Sequence, residues 1–381
     1  MILERRKAFW ATFLALPPCI AAEAQQGGWP VDSNASPYPI ANTLGELVMN
    51  QNGLLYQHPG LDILVKPFPE EGAPFAVVTT SGYVTWVNMS NEDSSDDDNF
   101  VRIQETDGMT THDYEHLEYN SILAQIKIYA NNTRADRGNA GSRAQMMPAG
   151  EPLAQIHDSF VCDLDHLHYE IRRQDADGSE VLVNPLKRIS PVSDSDVPAI
   201  PKIFVARHNR PRWQPFETVL EPQSCVAVSG EVDIIVEAHD RDDSGSGIAG
   251  PNDVGLYRYE WRACPEGEPE CEWVQSYGFE TMNGAWGDPG ASDISDRFSF
   301  EEPWKSEPEA WLRSNAGCPA GDAGQDATAP SVFAIVTGKG GSRSWKTSSD
   351  RYGPGTYDLS VKVTDIGGNT AIGKLKVCVQ E

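Results

Sequence analysis

Apolar and polar residues alternate along much of this chain with a period of two. In the first half the alternating runs fall at 75–80, 82–87, 100–104, 110–117 and 164–172, separated by Gly, Asp and Asn. A period of two sends successive side chains to opposite faces of a strand, so the pattern predicts antiparallel sheet. The stretch 122–130 reads as strand or helix, its alternation favouring strand. Two polar inserts, 88–99 and 131–145, lack apolar periodicity and read as surface loops. A Pro-, Ser- and Asp-rich segment at 189–201 then reads as a linker. Beyond it, alternation returns at 203–206, 232–238, 255–261, 332–336, 357–365 and 371–379. This second series predicts an Ig-like β-sandwich over 202–381. A Gly/Ser/Asp/Pro-rich insertion near 277–329 interrupts it, and the pattern assigns that insertion no element. The expected fold class is all-β, in two domains at 30–188 and 202–381.

Composition refines this picture at the N-terminus and in the cysteines. Arg5, Arg6 and Lys7 precede an apolar run at 8–16, and Ala22-Glu-Ala24 forms a small-x-small site, so 1–24 reads as a signal peptide. The run is shorter than the roughly 20 residues of a membrane span. The chain is therefore expected to be exported, to the periplasm, the cell wall or the medium. With Cys19 inside the signal, six cysteines remain, an even number suited to an oxidising compartment. Cys264 and Cys271 flank Pro-Glu-Gly-Glu-Pro-Glu and suit a local disulfide, and Cys225 with Cys378 would join early and late strands of the second half. Cys162 and Cys318 complete the six, and the overall connectivity is not readable. A formal net charge of -26 argues against nucleic acid and against an anionic membrane surface as partners. It reads as a device for solubility.

Candidate chemistry concentrates in five residues. His58-Pro-Gly-Leu-Asp62 carries an imidazole and a carboxylate that a short turn can bring onto one cation. His166 and His168 stand two apart in a strand-like run, which puts both on one face. Imidazole and carboxylate suit zinc, and a catalytic zinc keeps three protein ligands and one open position. His116 lies in Tyr114-Glu-His-Leu117, where strand alternation puts Tyr114 and His116 on a shared face.

These elements occur in an order that carries more than any one of them. His58-Pro-Gly-Leu-Asp-Ile63 is followed by Gly82-Tyr-Val84, Tyr114-Glu-His-Leu117, Gly150-Glu-Pro-Leu153, His166-Leu-His-Tyr-Glu170 and Asn184-Pro185. The series resembles the lysostaphin-type zinc metallopeptidases, the LytM-domain peptidoglycan endopeptidases, over about residues 30–186. The resemblance implies a lysostaphin-like antiparallel β domain of the duplicated hybrid motif. It implies one zinc ion per chain, held by His58, Asp62 and His168. His116 and His166 then stand beside the open position as catalytic groups, with the division of labour between them undecided. Tyr114 and Glu170 are candidates to orient a ligand imidazole from behind. The implied substrate is the peptide part of peptidoglycan. A non-catalytic adaptor that binds wall peptides or activates an amidase is a second reading, and a secreted protease for Gly-rich proteins a third.

The chain departs from the family pattern in its inserts, which include the acidic run at 92–98, and in Tyr169, where Phe is commoner. Only a loose Leu44-Gly-Glu-Leu47 stands for the family's Gly-x-Arg segment. His112, His157, His208 and His239 match no motif element and read as surface or turn residues. Asp240, Asp242 and Ser244 resemble the opening of a calcium loop, but Pro251 stands where its closing Glu belongs. Nothing in the sequence addresses oligomeric state.

Overall fold

The computed structural model describes residues 28–32, 40–44, 47–49, 55–65, 74–88, 99–118, 121, 145–156, 166–175, 177–190, 197–207, 225–240, 256–268, 270–279, 281–283, 298–300, 332–337, 345–347 and 352–380. The expected signal peptide, the 122–130 run, the acidic run at 92–98, Cys162, Cys318, Asp242, Ser244, His157 and His208 lie outside these residues. The described chain is almost entirely β; the described alternating runs coincide with strands, and further strands such as Leu61–Leu64, Pro152–Gln155 and Glu180–Val183 lie outside them. Among the described residues, no helix is long and apolar enough to cross a membrane.

The first half is built around the strand His166–Gln174. Its odd-numbered residues Leu167, Tyr169 and Ile171 are fully buried in a core that also takes Leu61, Ile63, Val84, Val101, Ile103 and Tyr114. Each such side chain contributes about 1.5–3 kcal/mol by leaving water, which is why this strand is central rather than peripheral. Thr110–Glu115 pairs along one edge of it. Along the other edge, Leu61–Leu64 pairs with its beginning and Glu180–Val183 with its end. The sheet continues outward through Phe100–Glu105, Gly82–Asn88 and Met146–Met147. A three-stranded sheet of Val31–Asp32, Phe75–Val77 and Pro152–Gln155 contributes Val31, Ala76, Leu153 and Ala154 to the same core.

The second half consists of two five-stranded sheets that share one core. One is formed around Glu231–His239, the other around Arg258–Pro265, Gly355–Thr364 and Thr370–Val379. Trp345 is fully buried between them, 5.8 Å from the rings of both Tyr352 and Tyr357. Close approach of the sheets needs a glycine: a Cβ on Gly373 would lie 2.7 Å from Cδ1 of Ile203. Nearly all pairings are antiparallel; Val226–Val228 pairs in parallel with the last strand. The bridges Cys225–Cys378 and Cys264–Cys271 are both formed.

Two expectations need correction. The connection between the halves is shorter than its composition suggests. Ile189 belongs to the first core, and strand Ala199–Arg207 begins within the predicted linker. Pro201 is compatible with that strand because it lies at a sheet edge, beside a register shift between Ala199 and Lys202. The insertion near 277–329, to which the pattern assigns no element and which it places wholly in the second domain, contributes strands to both halves. Phe298–Phe300 joins a sheet of the second half, while Thr281–Asn283 pairs with Glu180–Val183 and so becomes the edge strand of the first half's sheet. Around this graft, Asn184 Nδ2 donates to the Phe279 carbonyl at 3.0 Å, Lys187 lies 4.2 Å from the Tyr257 ring centre, and Ile366 packs on the first core.

Candidate metal centre

Strand register brings the candidate residues together. His168 lies directly across from Asp62 on one neighbouring strand and from Glu115 on the other, so the three side chains share a face. His58 precedes the Leu61–Leu64 strand and reaches the same point. The distances are 3.1 Å from His58 Nε2 to His168 Nδ1, 3.1 Å from His58 Nε2 to Asp62 Oδ1, and 2.7 Å from His168 Nδ1 to Asp62 Oδ1. All three residues are buried. A tetrahedral zinc with bonds of about 2.0–2.1 Å holds its ligand atoms roughly 3.3 Å apart, so this triangle needs to open only slightly to accept the ion.

The remaining ring nitrogens are also placed for such a role. His58 Nδ1 donates to the carbonyls of Gly60 at 3.1 Å and Thr43 at 3.3 Å, leaving the Nε2 lone pair for a cation. His168 Nε2 faces Glu170 Oε1 at 3.2 Å, leaving Nδ1. Each imidazole thus has a partner that selects its tautomer. Burial alone would raise the Asp62 carboxyl, but its electrostatic attraction to His58 and His166 and the hydrogen bonds with His168 and His58 hold it well below the ordinary carboxylate range. Asp62 is therefore an anion, as a ligand must be.

The Gly of His58-Pro-Gly-Leu-Asp62 has a steric reason here. A Cβ on Gly60 would lie 2.6 Å from the Tyr169 carbonyl oxygen, 2.9 Å from Glu170 Cγ and 3.0 Å from His168 Nε2. Only a residue without a side chain lets the His58–Asp62 turn close onto the strand His166–Gln174.

His166 and His116 stand beside the triangle. His166 Nε2 is 3.8 Å from Asp62 Oδ1, and its ring centre is 4.7 Å from that of His116. The His116 ring centre lies 6.0 Å from that of His168. Both rings are partly exposed, unlike the three inner residues. His116 has φ +61°, the single positive value outside glycine among the described residues. Its neighbour Leu117 is pinned at once: the Leu117 N–H donates to the Asn99 carbonyl and Asn99 Nδ2 donates to the Leu117 carbonyl, both at 3.2 Å.

That left-handed residue breaks the face expected to be shared by His116 and Tyr114, and Tyr114 is not beside a site imidazole. The strand ends at Glu115, so alternation does not carry through to His116. Tyr114 faces the core, where its hydroxyl meets Thr79 Oγ1 at 3.0 Å and accepts from the Thr79 N–H at 2.9 Å. It is paired across the strands with Tyr169 and does not touch a ligand imidazole. His112, read as a surface residue, is buried, with Nδ1 2.6 Å from the Tyr169 hydroxyl and Nε2 2.7 Å from Glu105 Oε1. Glu170 Oε1 lies 3.2 Å from His168 Nε2. Asp240 is buried just after Glu231–His239, while its two proposed calcium partners lie outside the described residues.

Sequence reasoning missed Glu115, Asp113, Arg102 and Arg172, which continue the polar face behind His168. Burial pushes the Glu115 carboxyl up to about 8, opposed by His168 and reinforced by Glu170 and Asp113. The signal was present: His166, His168, Glu170 and Arg172 alternate with Leu167, Tyr169 and Ile171. Glu115, His168 and Glu170 also bring three donor atoms within 4.8 Å of one another. There the Arg172 guanidinium already supplies the cation to Glu170, so His58, Asp62 and His168 are the better metal set.

No protein-family model and no curated protein sequence matches the chain. Among solved structures it is similar to the antimicrobial peptidase lysostaphin from Staphylococcus simulans, at 13% identity over 58% of this chain and 85% of that one, with a TM-score of 0.29. A solution structure of lysostaphin gives 12% identity, 58% and 95% coverage and a TM-score of 0.28. The extracellular domain of a one-component system from B. thetaiotaomicron is similar at 8% identity over 88% of this chain and 30% of that one, TM-score 0.19. These likenesses are distant.

Proposed function

We propose that the chain is an exported zinc endopeptidase that hydrolyses peptide bonds of peptidoglycan. The observation that carries this reading is the buried His58–Asp62–His168 triangle with His116 and His166 meeting edge to face at its exposed side. The ordered motifs of the sequence resemblance name the same five residues. His58, Asp62 and His168 would hold the ion; when bound, zinc supplies a water acidified to a pKa of about 7 and polarises the scissile carbonyl. His116 and His166, on the open side, are the groups that touch substrate. A neutral imidazole of this pair accepts a proton from the attacking water. An N–H of the other donates to the oxygen that becomes negative as the amide carbon turns tetrahedral, and the accepted proton then passes to the leaving nitrogen.

The second half is proposed as an Ig-like module for wall binding, spacing or docking. Tyr357 supports that reading: its hydroxyl donates to the Gly353 carbonyl at 2.8 Å, the tyrosine-corner arrangement of such sandwiches.

The test uses purified protein and isolated sacculi, with His58→Ala and His168→Ala alongside wild type. Soluble muropeptides released by wild type alone support the peptidase. Equal binding by all three without release establishes the adaptor instead, and cleavage of Gly-rich proteins but not sacculi establishes the secreted protease.

A further inference from the structure

We propose that Arg172 is a positioning residue of this metal centre, acting on His168 through Glu170. The inference rests on the zinc reading above. Glu170 is fully buried and both of its oxygens are used: Oε1 faces His168 Nε2 at 3.2 Å, and Oε2 accepts from Arg172 Nη2. Arg172, 2% exposed, spends its other donors on Asp113 Oδ2 at 3.1 Å and Glu180 Oε1 at 2.8 Å. Asp113 is held from its far side by Arg102, whose guanidinium lies 5.2 Å from the Trp86 ring centre. Glu170, Asp113 and Arg102 occupy one register row across three adjacent strands. The chain of contacts therefore runs from the site into the interior strands of the sheet.

A carboxylate touched at one oxygen can rotate about its terminal torsion. The Arg172 contact on the second oxygen removes that freedom and keeps Oε1 aimed at His168. The consequence is chemical. With Oε1 accepting the Nε2 proton, the Nδ1 lone pair of His168 points at Asp62 and His58. In the other tautomer Nδ1 carries the proton and offers a cation nothing. Arg172 holds the tautomer without touching ion or substrate.

The experiment is a double-variant cycle on the full chain, read as zinc affinity by competition with a chromogenic chelator. Arg172→Met and Glu170→Gln are each expected to weaken zinc binding by about 10- to 100-fold, the range for the outer partners of a ligating histidine. In the Glu170→Gln background, Arg172→Met is expected to weaken it no further, because its route to His168 is already cut. If the two losses multiply, or Arg172→Met binds zinc as wild type does, the proposal is overturned. Should Arg172→Met fail to fold, Arg172→Lys carries the test, since a single ammonium keeps the charge but lacks the planar fork whose three nitrogens reach Glu170, Asp113 and Glu180. Zinc binding about ten-fold weaker supports the proposal, and wild-type affinity overturns it. A wild-type chain that takes up no zinc overturns the metal centre itself, an outcome distinct from failure of the relay.

Discussion

His168 and Asp62 face each other across two antiparallel strands, with Nδ1 and Oδ1 2.7 Å apart, while His166, two residues earlier, stands 3.8 Å from the same oxygen. One strand thus supplies an inner residue and an outer one. We predict that His168→Ala abolishes stoichiometric zinc, whereas His166→Ala retains zinc and loses about 10²- to 10⁴-fold in turnover. Elemental analysis beside muropeptide release distinguishes the two. Loss of metal from both variants would make His166 a ligand.

Gly60 yields a second prediction. A methyl group there meets the Tyr169 carbonyl at 2.6 Å and His168 Nε2 at 3.0 Å. Gly60→Ala is expected to destabilise the fold by about 1–3 kcal/mol and to weaken zinc binding, because the turn must move off the ligand strand. Denaturant unfolding and chelator competition check the two effects.

Tyr114 sets an alkaline limit. Burial raises its hydroxyl from 10.0 to about 12, against the lowering effect of its hydrogen bonds to Thr79 and Tyr169. The unfolded chain therefore loses this proton first as the pH rises. The contribution to stability is complete below pH 10 and falls by roughly 3 kcal/mol as the pH passes 12. Tyr114→Phe should flatten the decline above pH 10, at a loss of about 1 kcal/mol at neutral pH. Urea midpoints measured from pH 8 to 11.5 test the slope.

The graft of Thr281–Asn283 onto Glu180–Val183 predicts that the first half does not behave as an independent unit. A chain ending at 190 exposes that sheet edge and loses the Asn184 bond to the Phe279 carbonyl. It should unfold at a lower temperature than the same half in the full chain and associate at high concentration. Calorimetry with light scattering decides. A truncated chain that is monomeric and equally stable would show that the contact contributes nothing.

Much was legible along the chain. Period-two alternation located the main strands because each buries one face, as Leu167, Tyr169 and Ile171 do. The five candidate residues stood out because their types and order are unusual together. The pairs Cys264–Cys271 and Cys225–Cys378 could be suggested from their positions. Alternation says which residues share a face only while the backbone stays extended, and His116 at φ +61° breaks that condition, so it does not share the core-facing side of Tyr114. It also does not say which strands are neighbours. Glu115 stands behind His168, and Arg172 beside Asp113, because strands distant in sequence pair in one register. Sequence by itself determined the β character and the chemical types at the site. Tertiary structure alone decided which polar groups meet, since that depends on the pairing of strands that local pattern leaves free.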